Sequence, residues 1–509
     1  MSEADRLIRA AAGLTVAGAF RMQVQLRGEA PALEQDGRVL SYRALDDRAG
    51  RLAAVLAGRG IEAGDRVAIL AENSCEYVEL FLAAARIGAI VACQNWRLAD
   101  PELTHCLRLV APKLVIASER HAPWLARIDF GGAPTVVLGE HYESLLAASS
   151  ALDPQQVDPE AGLLILYTSG TTGLPKGALI SHRAMLARAM VGAADWQLGR
   201  EAFVAWTPLF HMGSADQTLA TLTLGGSVIV MDGFDAPALV AAIARTRIGH
   251  LTVVPGVVDR LLAELTRTKA RAAGIRVVGV MADLVPPAQI AELTARLDAP
   301  YGNTFGSTET GMPPASRALI PPGVAPTNLA KQQSSFCELR LVDPDDREVP
   351  DGTPGEMTLR GPTLFSGYFA ADAANAEAFR SGWFHMGDVF VRHPDGTLDF
   401  VDRRKYLIKS GGENIYPAEI ERAILALPGV ADAAVVRRAD ARWGEVPVAF
   451  VVRADPTLDE AAVLAACRGR IAGYKLPKAV IFVEDAELPR STSGKIQRHL
   501  LEQRLRDGP

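Results

Sequence analysis

The chain has 509 residues, a length that is enough for roughly three domain-sized units. Of these residues, 49% are hydrophobic and 22% are charged. Its 53 Lys and Arg against 59 Asp and Glu give a net charge of −6, and the absence of a basic run argues against nucleic acid as a partner. No segment reaches about 18 uninterrupted apolar residues and the N-terminus is acidic, so the sequence predicts a soluble cytoplasmic protein with no membrane span and no signal peptide.

Apolar segments of strand length alternate with helical periodicity along the first 300 residues. A hairpin turn at Asp36-Gly37 precedes a helix that has Leu45, Leu52 and Leu56 on one face. Further strands are predicted at 67–70, 113–117, 163–166, 227–231, 251–254 and 276–281, with helices at 77–87, 238–244 and 257–265. Solidly apolar strands in alternation with helices predict parallel sheets that are covered on both faces.

The pattern changes after Pro321. Short strands at 338–342, 356–360 and 398–401 are separated by turns such as Asp351-Gly352, which predicts a β-rich subdomain at about 325–402. A charged junction follows, and the last hundred residues mix helices and strands. The predicted fold class is therefore α/β, with a large N-terminal domain of parallel-type sheets at 1–402, which includes the β-rich subdomain, and a small mobile α+β C-terminal domain at 403–509.

A Gly-, Ser- and Thr-rich loop is the most informative segment. Residues 167–177 read Y-T-S-G-T-T-G-L-P-K-G, between an apolar strand and a helix that Ser181 is predicted to cap. Because glycine has no Cβ, the N–H groups and hydroxyls of such a loop can approach an anion, and Lys176 adds a positive charge. The loop is not a Walker A motif, since Lys176 follows Pro175. The chemistry that it suits is the binding of a polyphosphate, and a plain loop is the alternative.

Four further segments carry chemistry of their own. In F-G-S-T-E-T at 305–310 the aromatic ring can stack on a base, Thr308 can hydrogen-bond a phosphate oxygen and Glu309 can hold Mg²⁺ through its carboxylate. Asp388, which ends G-W-F-H-M-G-D, can accept two hydrogen bonds from a diol. The other two segments are L-I-K-S-G-G-E-N-I-Y-P at 407–417 and P-R-S-T-S-G-K at 489–495, and a weaker one is P-L-F-H-M-G at 208–213.

These motifs, in this order, resemble those of the adenylate-forming superfamily, which includes acyl- and aryl-CoA synthetases, luciferases and peptide-synthetase adenylation domains. The resemblance covers essentially the whole chain. It implies an AMP-forming acid–CoA ligase of long-chain fatty acid or aryl acid type, which uses ATP, Mg²⁺ and CoA to convert a carboxylic acid to acyl-AMP and then to acyl-CoA. Transfer to the phosphopantetheine of a carrier protein is the alternative, although the chain has no Gly-x-Asp-Ser carrier segment. A homodimer is a hypothesis that no motif supports.

The resemblance also assigns residues to roles. Catalysis and ATP or AMP binding are assigned to Thr168, Ser169, Gly170, Thr171, Thr172, Gly173, Lys176, His211, Asn303, Thr304, Phe305, Gly306, Ser307, Thr308, Glu309, Asp388, Arg403 and Lys495. Within this set the catalytic residues are Lys495, Thr168, Glu309 and His211, and the metal ligands are Thr168 and Glu309. The acyl pocket is assigned to His211, Met212, Gly213, Asp283, Gly311 and Met312. CoA binding is assigned to Gly411, Gly412, Trp443, Tyr474 and Lys478, and the hinge to Lys405.

Two positions depart from the superfamily pattern. Phe305 stands where tyrosine is usual, which keeps stacking and loses a hydroxyl. Asp283 puts a carboxylate into a segment, 280–284, that is usually small and apolar and borders the acyl pocket and adenine. Since an unpaired buried carboxylate is costly, either the substrate carries a polar or cationic group or a neighbouring donor pairs with Asp283.

Overall fold

The structure is a computed structural model, and it describes residues 2, 4, 8, 11–168, 174–254, 256–410, 413–468, 470–490 and 496–507. The chain divides into two compact units, Met1–Glu338 with Arg360–Phe379, and Leu339–Leu359 with Arg380–Pro509. The second unit groups the sheet of the predicted β-rich subdomain with the C-terminal residues, and the domain boundary at residue 402 stays a prediction. Among the described residues, no helix combines the length and apolar composition that a membrane crossing requires.

The first unit contains a six-stranded sheet that ends at the predicted phosphate loop. Its strands are, in spatial order, Thr135–Val137, Leu114–Ala117, Arg66–Leu70, Ile90–Cys93, Gly162–Thr168 and Lys176–Ser181. All neighbours run parallel except the last pair, which is antiparallel. The central strands are buried along almost their whole length, as their unbroken apolar sequences predict, because helices cover both faces of a parallel sheet.

Three smaller sheets complete this unit. One has the order Arg38–Ser41, Pro31–Gln35, Val228–Val230, Phe203–Ala205, and a second has the order Ile248–Leu251, Ile275–Val278, Tyr301–Gly302, Leu319–Ile320. The third is the hairpin of Gly306–Ser307 and Gly311–Pro314. In the second sheet the first three strands are parallel, so their carboxyl ends open onto one edge. Ligands bind outside the carboxyl ends of strands in open α/β sheets.

Five helices among the described residues of the first unit begin with a side-chain N-cap, from Thr15, Ser41, Ser74, Ser181 or Asp235. The α-helices in the described part of this unit are Val16–Arg27, Tyr42–Gly58, Cys75–Ile87, Asp100–Val110, Ala122–Leu125, Glu140–Ala147, His182–Trp196, Met212–Leu224, Ala236–Arg245, Val258–Thr268, Pro287–Leu297 and Asp372–Ala378. The Ser74 side chain accepts a hydrogen bond from the Tyr77 N–H at the start of one helix, and Gly88 ends that helix at a φ of 71°. Ser181 caps its helix as predicted, by accepting from the Ala184 N–H.

The second unit has two sheets. The first has the order Glu338–Val342, Gly355–Arg360, Phe384–Arg392, Leu398–Arg403. The second has the order Glu413–Ile415, Ile408–Ser410, Gly444–Arg453, Val430–Asp440, with Val480–Val483 also paired to Gly444–Arg453. The helices Pro417–Leu425 and Glu460–Cys467 cover one face of this sheet and Arg498–Asp507 covers the other, so that Val435 and Val436 enter different cores.

Two details differ from the sequence-based prediction. A strand, Lys176–Ser181, lies between the phosphate loop and the following helix, which the sequence placed next to each other. Its side chains alternate in burial weakly, and the glycine at its start hid the strand pattern. The strand predicted at 251–254 lies at Ile248–Leu251. The prediction began too late because His250, a polar residue, interrupts the apolar pattern. In the structure His250 is buried and hydrogen-bonded to the Gly279 carbonyl oxygen at 3.2 Å.

Candidate active site

The predicted phosphate loop lies at the closed end of an antiparallel hairpin. Thr168 ends one strand and faces Lys176 at the start of the other. The loop residues assigned to phosphate binding, Ser169, Gly170, Thr171, Thr172 and Gly173, lie outside the described residues. The hairpin therefore holds Thr168 and Lys176, the described residues on either side of the predicted phosphate loop, next to each other.

A tyrosine that the sequence did not mark connects this hairpin to Glu309. The Tyr368 hydroxyl donates a hydrogen bond of 2.9 Å to Glu309 Oε1, and the Lys176 ammonium lies 5.1 Å from the centre of the Tyr368 ring. Tyr368 also forms an antiparallel bridge with Ala178 on the same hairpin. Burial and the adjacent Glu309 carboxylate raise the pKa of Tyr368, so its hydroxyl keeps the proton that it donates. Tyr368 thereby links Glu309 to the hairpin that carries Lys176 and, opposite it, Thr168.

Tyr368 is held firmly by its own neighbours. The side-chain oxygen of Asn375 accepts from the Tyr368 N–H at 2.6 Å, and its amide nitrogen donates to the Tyr368 carbonyl at 2.8 Å. The Phe365 N–H also donates to the Glu309 carbonyl oxygen at 2.8 Å. No motif surrounds Tyr368 in the sequence, which is why sequence reasoning missed it.

Arg188 is the second residue that sequence reasoning missed. Its guanidinium is buried and donates to both carboxylate oxygens of Asp216, at 3.0 and 3.3 Å. It also donates to the carbonyl oxygens of Thr308, at 3.1 Å, and Thr363, at 3.0 Å. The buried Arg188 guanidinium thus holds the backbone of the predicted ATP motif at Thr308. The available signal was an arginine in an Ala- and Met-rich segment and a lone aspartate in a Leu- and Thr-rich helix.

The backbone of the 303–314 segment explains its glycines. Gly311 has a φ of 74°, and a Cβ there would lie 2.7 Å from Arg188 Cδ. A Cβ on Gly306 would lie 2.1 Å from the Gly311 carbonyl oxygen. Both positions therefore require glycine so that the hairpin can close against Arg188. The sequence assigned Gly311 to the acyl pocket, whereas in the structure Gly311 packs against the Arg188 side chain.

Several residues that were predicted to bind ATP also organise the protein. The Thr304 hydroxyl accepts from the Met281 N–H at 2.9 Å, the Phe305 N–H donates to Ser316 Oγ at 3.0 Å, and the Ser307 N–H donates to Thr310 Oγ1 at 3.0 Å. These bonds fix the loop at the carboxyl end of the strand Tyr301–Gly302.

Asp283 has a donor of its own. Lys331 Nζ contacts Asp283 Oδ2 and also Asn303 Oδ1, and the Lys331 side chain is fully buried. Of the two alternatives for Asp283, the structure therefore provides the neighbouring donor. The Asn303 amide nitrogen donates to the carbonyl oxygens of Leu329 and Ala330, at 3.2 and 3.0 Å. Nothing in the polar stretch around Lys331 indicated that its side chain would be buried.

Three of the predicted acyl-pocket residues, His211, Met212 and Gly213, lie at the start of one helix. His211 precedes the helix Met212–Leu224, and its ring lies 4.7 Å from that of Phe210. Further along the helix, the Gln217 amide lies 3.4 Å from Met312 Sδ. Gly213 is exposed, with no atom within 4 Å of a Cβ placed there. The helix that begins after His211 therefore contacts Met312 through Gln217.

In the second unit, Asp388 and Arg403 face each other on adjacent strands. Arg403 Nε donates to Asp388 Oδ1 at 3.1 Å, and the Asp388 side chain is nearly buried. Lys405 lies in the short turn Arg404–Tyr406, with its ammonium 4.7 Å from the centre of the Tyr406 ring.

The predicted CoA residues are at the surface of the second unit. Trp443 and Tyr474 are 41% and 45% exposed, and Lys478 is exposed as well. The N–H groups of Trp443 and Arg442 lower the pKa of the Asp440 carboxyl, and the charges of Arg438 and Lys478 contribute less. Trp443 and Lys478 therefore lie near the same carboxylate. Gly411, Gly412 and Lys495 lie outside the described residues, although Arg490 and Ile496 pair as an antiparallel bridge on either side of the segment that contains Lys495.

Comparison with known families gives two matches that cover most of the chain. The AMP-binding enzyme family matches residues 20–369, and the AMP-binding enzyme C-terminal domain matches residues 419–495. The chain belongs to the AMP-binding enzyme family. It is an AMP-forming acid–CoA ligase, which activates a carboxylic acid with ATP and transfers the acyl group to CoA in the presence of Mg²⁺.

Individual relatives of this AMP-binding enzyme agree with that assignment. It is 37% identical over 479 residues to an indoleacetate–CoA ligase of Aromatoleum aromaticum, with 91% of this chain and 92% of the relative covered. It is 35% identical over 484 residues to a feruloyl-CoA synthase of an Amycolatopsis species, with 93% and 96% covered. The solved structure of a Mycobacterium tuberculosis fatty acyl-CoA synthetase superposes with a TM-score of 0.79 at 28% identity, with 97% and 99% covered.

Proposed function

We propose that the hairpin Gly162–Thr168 and Lys176–Ser181, with the loop between them, holds the phosphates of ATP, and that Thr168 and Glu309 hold Mg²⁺. The contact that carries this proposal is the hydrogen bond from Tyr368 to Glu309, made beside Lys176. Among the described residues, Tyr368 is the one donor to the Glu309 carboxylate and bonds Oε1, which leaves Oε2 for a hard cation or its water. The donor set fits Mg²⁺, which prefers carboxylate and hydroxyl oxygen.

Charge neutralisation is the chemical task of this site. A carboxylate and a triphosphate repel each other, so adenylation requires positive charge at the α-phosphate. Bound Mg²⁺ supplies part of that charge. We assign a second part to Lys495, and the ribose hydroxyls to Asp388, whose carboxylate accepts two hydrogen bonds from a diol. Arg403, which already donates to Asp388, fixes the direction of that carboxylate.

The two half-reactions require different groups. Lys495 serves the adenylation step, whereas Gly411 and Gly412 let the thin pantetheine arm pass beside the backbone during thioester formation. We propose that rotation about Lys405 exchanges them. The exposed Trp443 and Tyr474 then stack on the base of CoA, and Lys478 pairs with its phosphate.

We infer that the acid is an aryl acid. The two relatives described above act, by their names, on indoleacetate and ferulate, and both are more similar to this chain than the fatty acyl-CoA synthetase is. An aromatic group also borders the start of the helix Met212–Leu224, where Trp96 meets Phe210 edge to face at 6.1 Å and Phe210 meets His211. Such rings favour a planar aromatic partner.

Pyrophosphate release tests both parts of the proposal. The enzyme is mixed with ATP, Mg²⁺ and CoA, and then with indole-3-acetate, ferulate, decanoate or palmitate, with a reaction without acid as the control. We expect acid-dependent release and acyl-CoA formation, with an aryl acid preferred to palmitate at least tenfold in kcat/KM. Release that does not depend on any acid would contradict the use of this site for adenylation, whereas a preference for palmitate would contradict only the aryl assignment.

A further inference from the structure

Three polar side chains meet at the carboxyl ends of two parallel strands in the first unit. Asp283 lies in the short 3-10 turn Ala282–Leu284, which follows the strand Ile275–Val278, and Asn303 follows the strand Tyr301–Gly302. Lys331, which is distant in sequence, contacts both of them. The Met281 N–H donates to Thr304 Oγ1 at 2.9 Å and ties the two segments together. The cluster borders the Phe305 loop and lies where ligands of open α/β sheets bind.

The Lys331 ammonium determines how its two partners are oriented. Its side chain has no exposed surface, and an ammonium has only donors. The atom of Asn303 that faces it must therefore be the side-chain oxygen. Because a buried charge is costly unless it is paired, the Asp283 carboxylate is a requirement of the fold as well as a neighbour.

The Asn303 amide has little left to offer a ligand. Both of its N–H donors are directed at backbone carbonyl oxygens, those of Leu329 and Ala330, and its oxygen accepts from Lys331. The residue is only 3% exposed. An incoming base therefore finds no donor on Asn303 and almost no surface.

Asp283 differs from Asn303 in both respects. Its side chain is 40% exposed, and within the described part of the chain its carboxylate accepts from Lys331 through Oδ2 alone. This leaves Oδ1 as an acceptor at the surface of the cluster. An acceptor-only group binds a donor such as an amino group and repels a carbonyl oxygen.

We propose that Asp283 is the residue that selects the base of ATP, by accepting a hydrogen bond from the exocyclic amino group of adenine through Oδ1. Lys331 is a positioning residue that neutralises Asp283 and fixes Asn303. The proposal rests on the proposed function, because it requires the nucleotide to lie beside Phe305. It predicts discrimination between 6-amino and 6-oxo purines, whatever acid the enzyme uses.

Calorimetric binding of ATP and of inosine triphosphate, each with Mg²⁺ and without acid or CoA, tests this selection. Inosine triphosphate is the matched probe because it replaces the 6-amino group by a carbonyl oxygen. The amide of Asp283→Asn can turn a donor toward that oxygen. We therefore expect the Kd for inosine triphosphate divided by the Kd for ATP to fall by about 10- to 100-fold in this variant. For Lys331→Gln, which keeps the Asp283 carboxylate and still donates to Asn303, we expect the ratio to stay within threefold and the Tm to fall.

Two further variants keep the test decisive. In Asp283→Asn the buried Lys331 charge loses its carboxylate partner. If that variant does not fold, the double variant Asp283→Asn/Lys331→Gln, which is neutral at both positions, takes its place. The same loss of discrimination between the two nucleotides is expected. Asp298→Asn makes the same chemical change on an exposed residue at the end of the helix Pro287–Leu297 and should change nothing. Unchanged discrimination in the 283 variants, or an equal loss in Lys331→Gln, overturns the proposal. Absence of ATP binding in the wild type would instead contradict the proposed function.

Discussion

Tyr368 donates its hydroxyl hydrogen to Glu309 at 2.9 Å while its ring lies under the Lys176 ammonium. One side chain thus connects the carboxylate assigned to the metal with the hairpin assigned to the phosphates. Because a hydrogen bond to a charged group is stronger than one between neutral groups, this contact fixes one oxygen of Glu309 and directs the other.

Tyr368→Phe should therefore slow adenylation without unfolding the protein. Loss of one hydrogen bond to the carboxylate should lower the rate of acid-dependent pyrophosphate exchange roughly tenfold. Tyr42→Phe is the matched control, since it removes a buried hydroxyl that bonds the carbonyl oxygens of Leu222 and Gly226. A Tyr368→Phe enzyme that exchanges pyrophosphate as fast as Tyr42→Phe would show that the contact is structural only.

Arg188→Met should destabilise the first unit and also slow adenylation. Breaking the pair leaves Asp216 buried and unpaired, which should lower the free energy of unfolding by about 3–5 kcal/mol. In Arg188→Met/Asp216→Leu much of that stability should return, because no buried charge remains. Pyrophosphate exchange should stay low in the double variant, since the Thr308 carbonyl oxygen still lacks its donor. Full recovery of exchange together with stability would contradict the supporting role of Arg188.

Acid should weaken the second unit through Glu356. This buried carboxylate lies next to His385, Arg380 and Arg404. Arg404 directly precedes Lys405, the predicted hinge. Burial alone would raise its pKa, but His385 and the two arginines outweigh that effect and lower the pKa to about 2. The stability that Glu356 contributes is therefore complete above its unfolded pKa and is lost as the pH falls through the folded value.

Urea unfolding of Glu356→Gln at several pH values measures this contribution. The variant should be less stable than the wild type by up to about 3 kcal/mol at pH 7, and the difference should shrink by about 2 kcal/mol at pH 3. Glu348→Gln is the control, because Glu348 forms an ion pair with Arg392 while half exposed. A difference that does not vary with pH would exclude the assigned pKa.

Trp443→Ala should affect the second half-reaction alone. Loss of one stacking surface for the base of CoA should raise KM for CoA roughly tenfold, with acid-dependent pyrophosphate exchange unchanged. Leu425→Ala removes another exposed apolar side chain of the same unit and should leave KM for CoA as it is. An unaltered KM in the Trp443 variant would place CoA elsewhere.

The sequence predicts the features that are encoded locally. Unbroken apolar runs predicted the parallel strands and Ser181 predicted a helix start, whereas the roles that the glycine-containing motifs assign to their loops stay predictions. Family membership and the ligase activity followed from the same motifs. The strand Lys176–Ser181 was missed because its burial alternates too weakly to give a strand pattern.

The remaining features depend on pairings that are distant in the chain. Tyr368 lies 59 residues after Glu309, and Lys331 lies 48 residues after Asp283. In each case the partner is set by how the sheets and loops pack, and neither residue belongs to a local pattern. Asp283 illustrates the difference well, since the sequence showed that a carboxylate needed a partner and only the fold supplies Lys331.

Separate measurement of the two half-reactions in Lys495→Ala is the most direct test of the division of labour between adenylation and thioester formation. One assay follows acyl-AMP formation from ATP and the acid, and the other follows acyl-CoA formation from supplied acyl-AMP and CoA. We predict that the first reaction is abolished while the second proceeds at close to the wild-type rate. Equal loss of both reactions, or adenylation at the wild-type rate, would contradict the account.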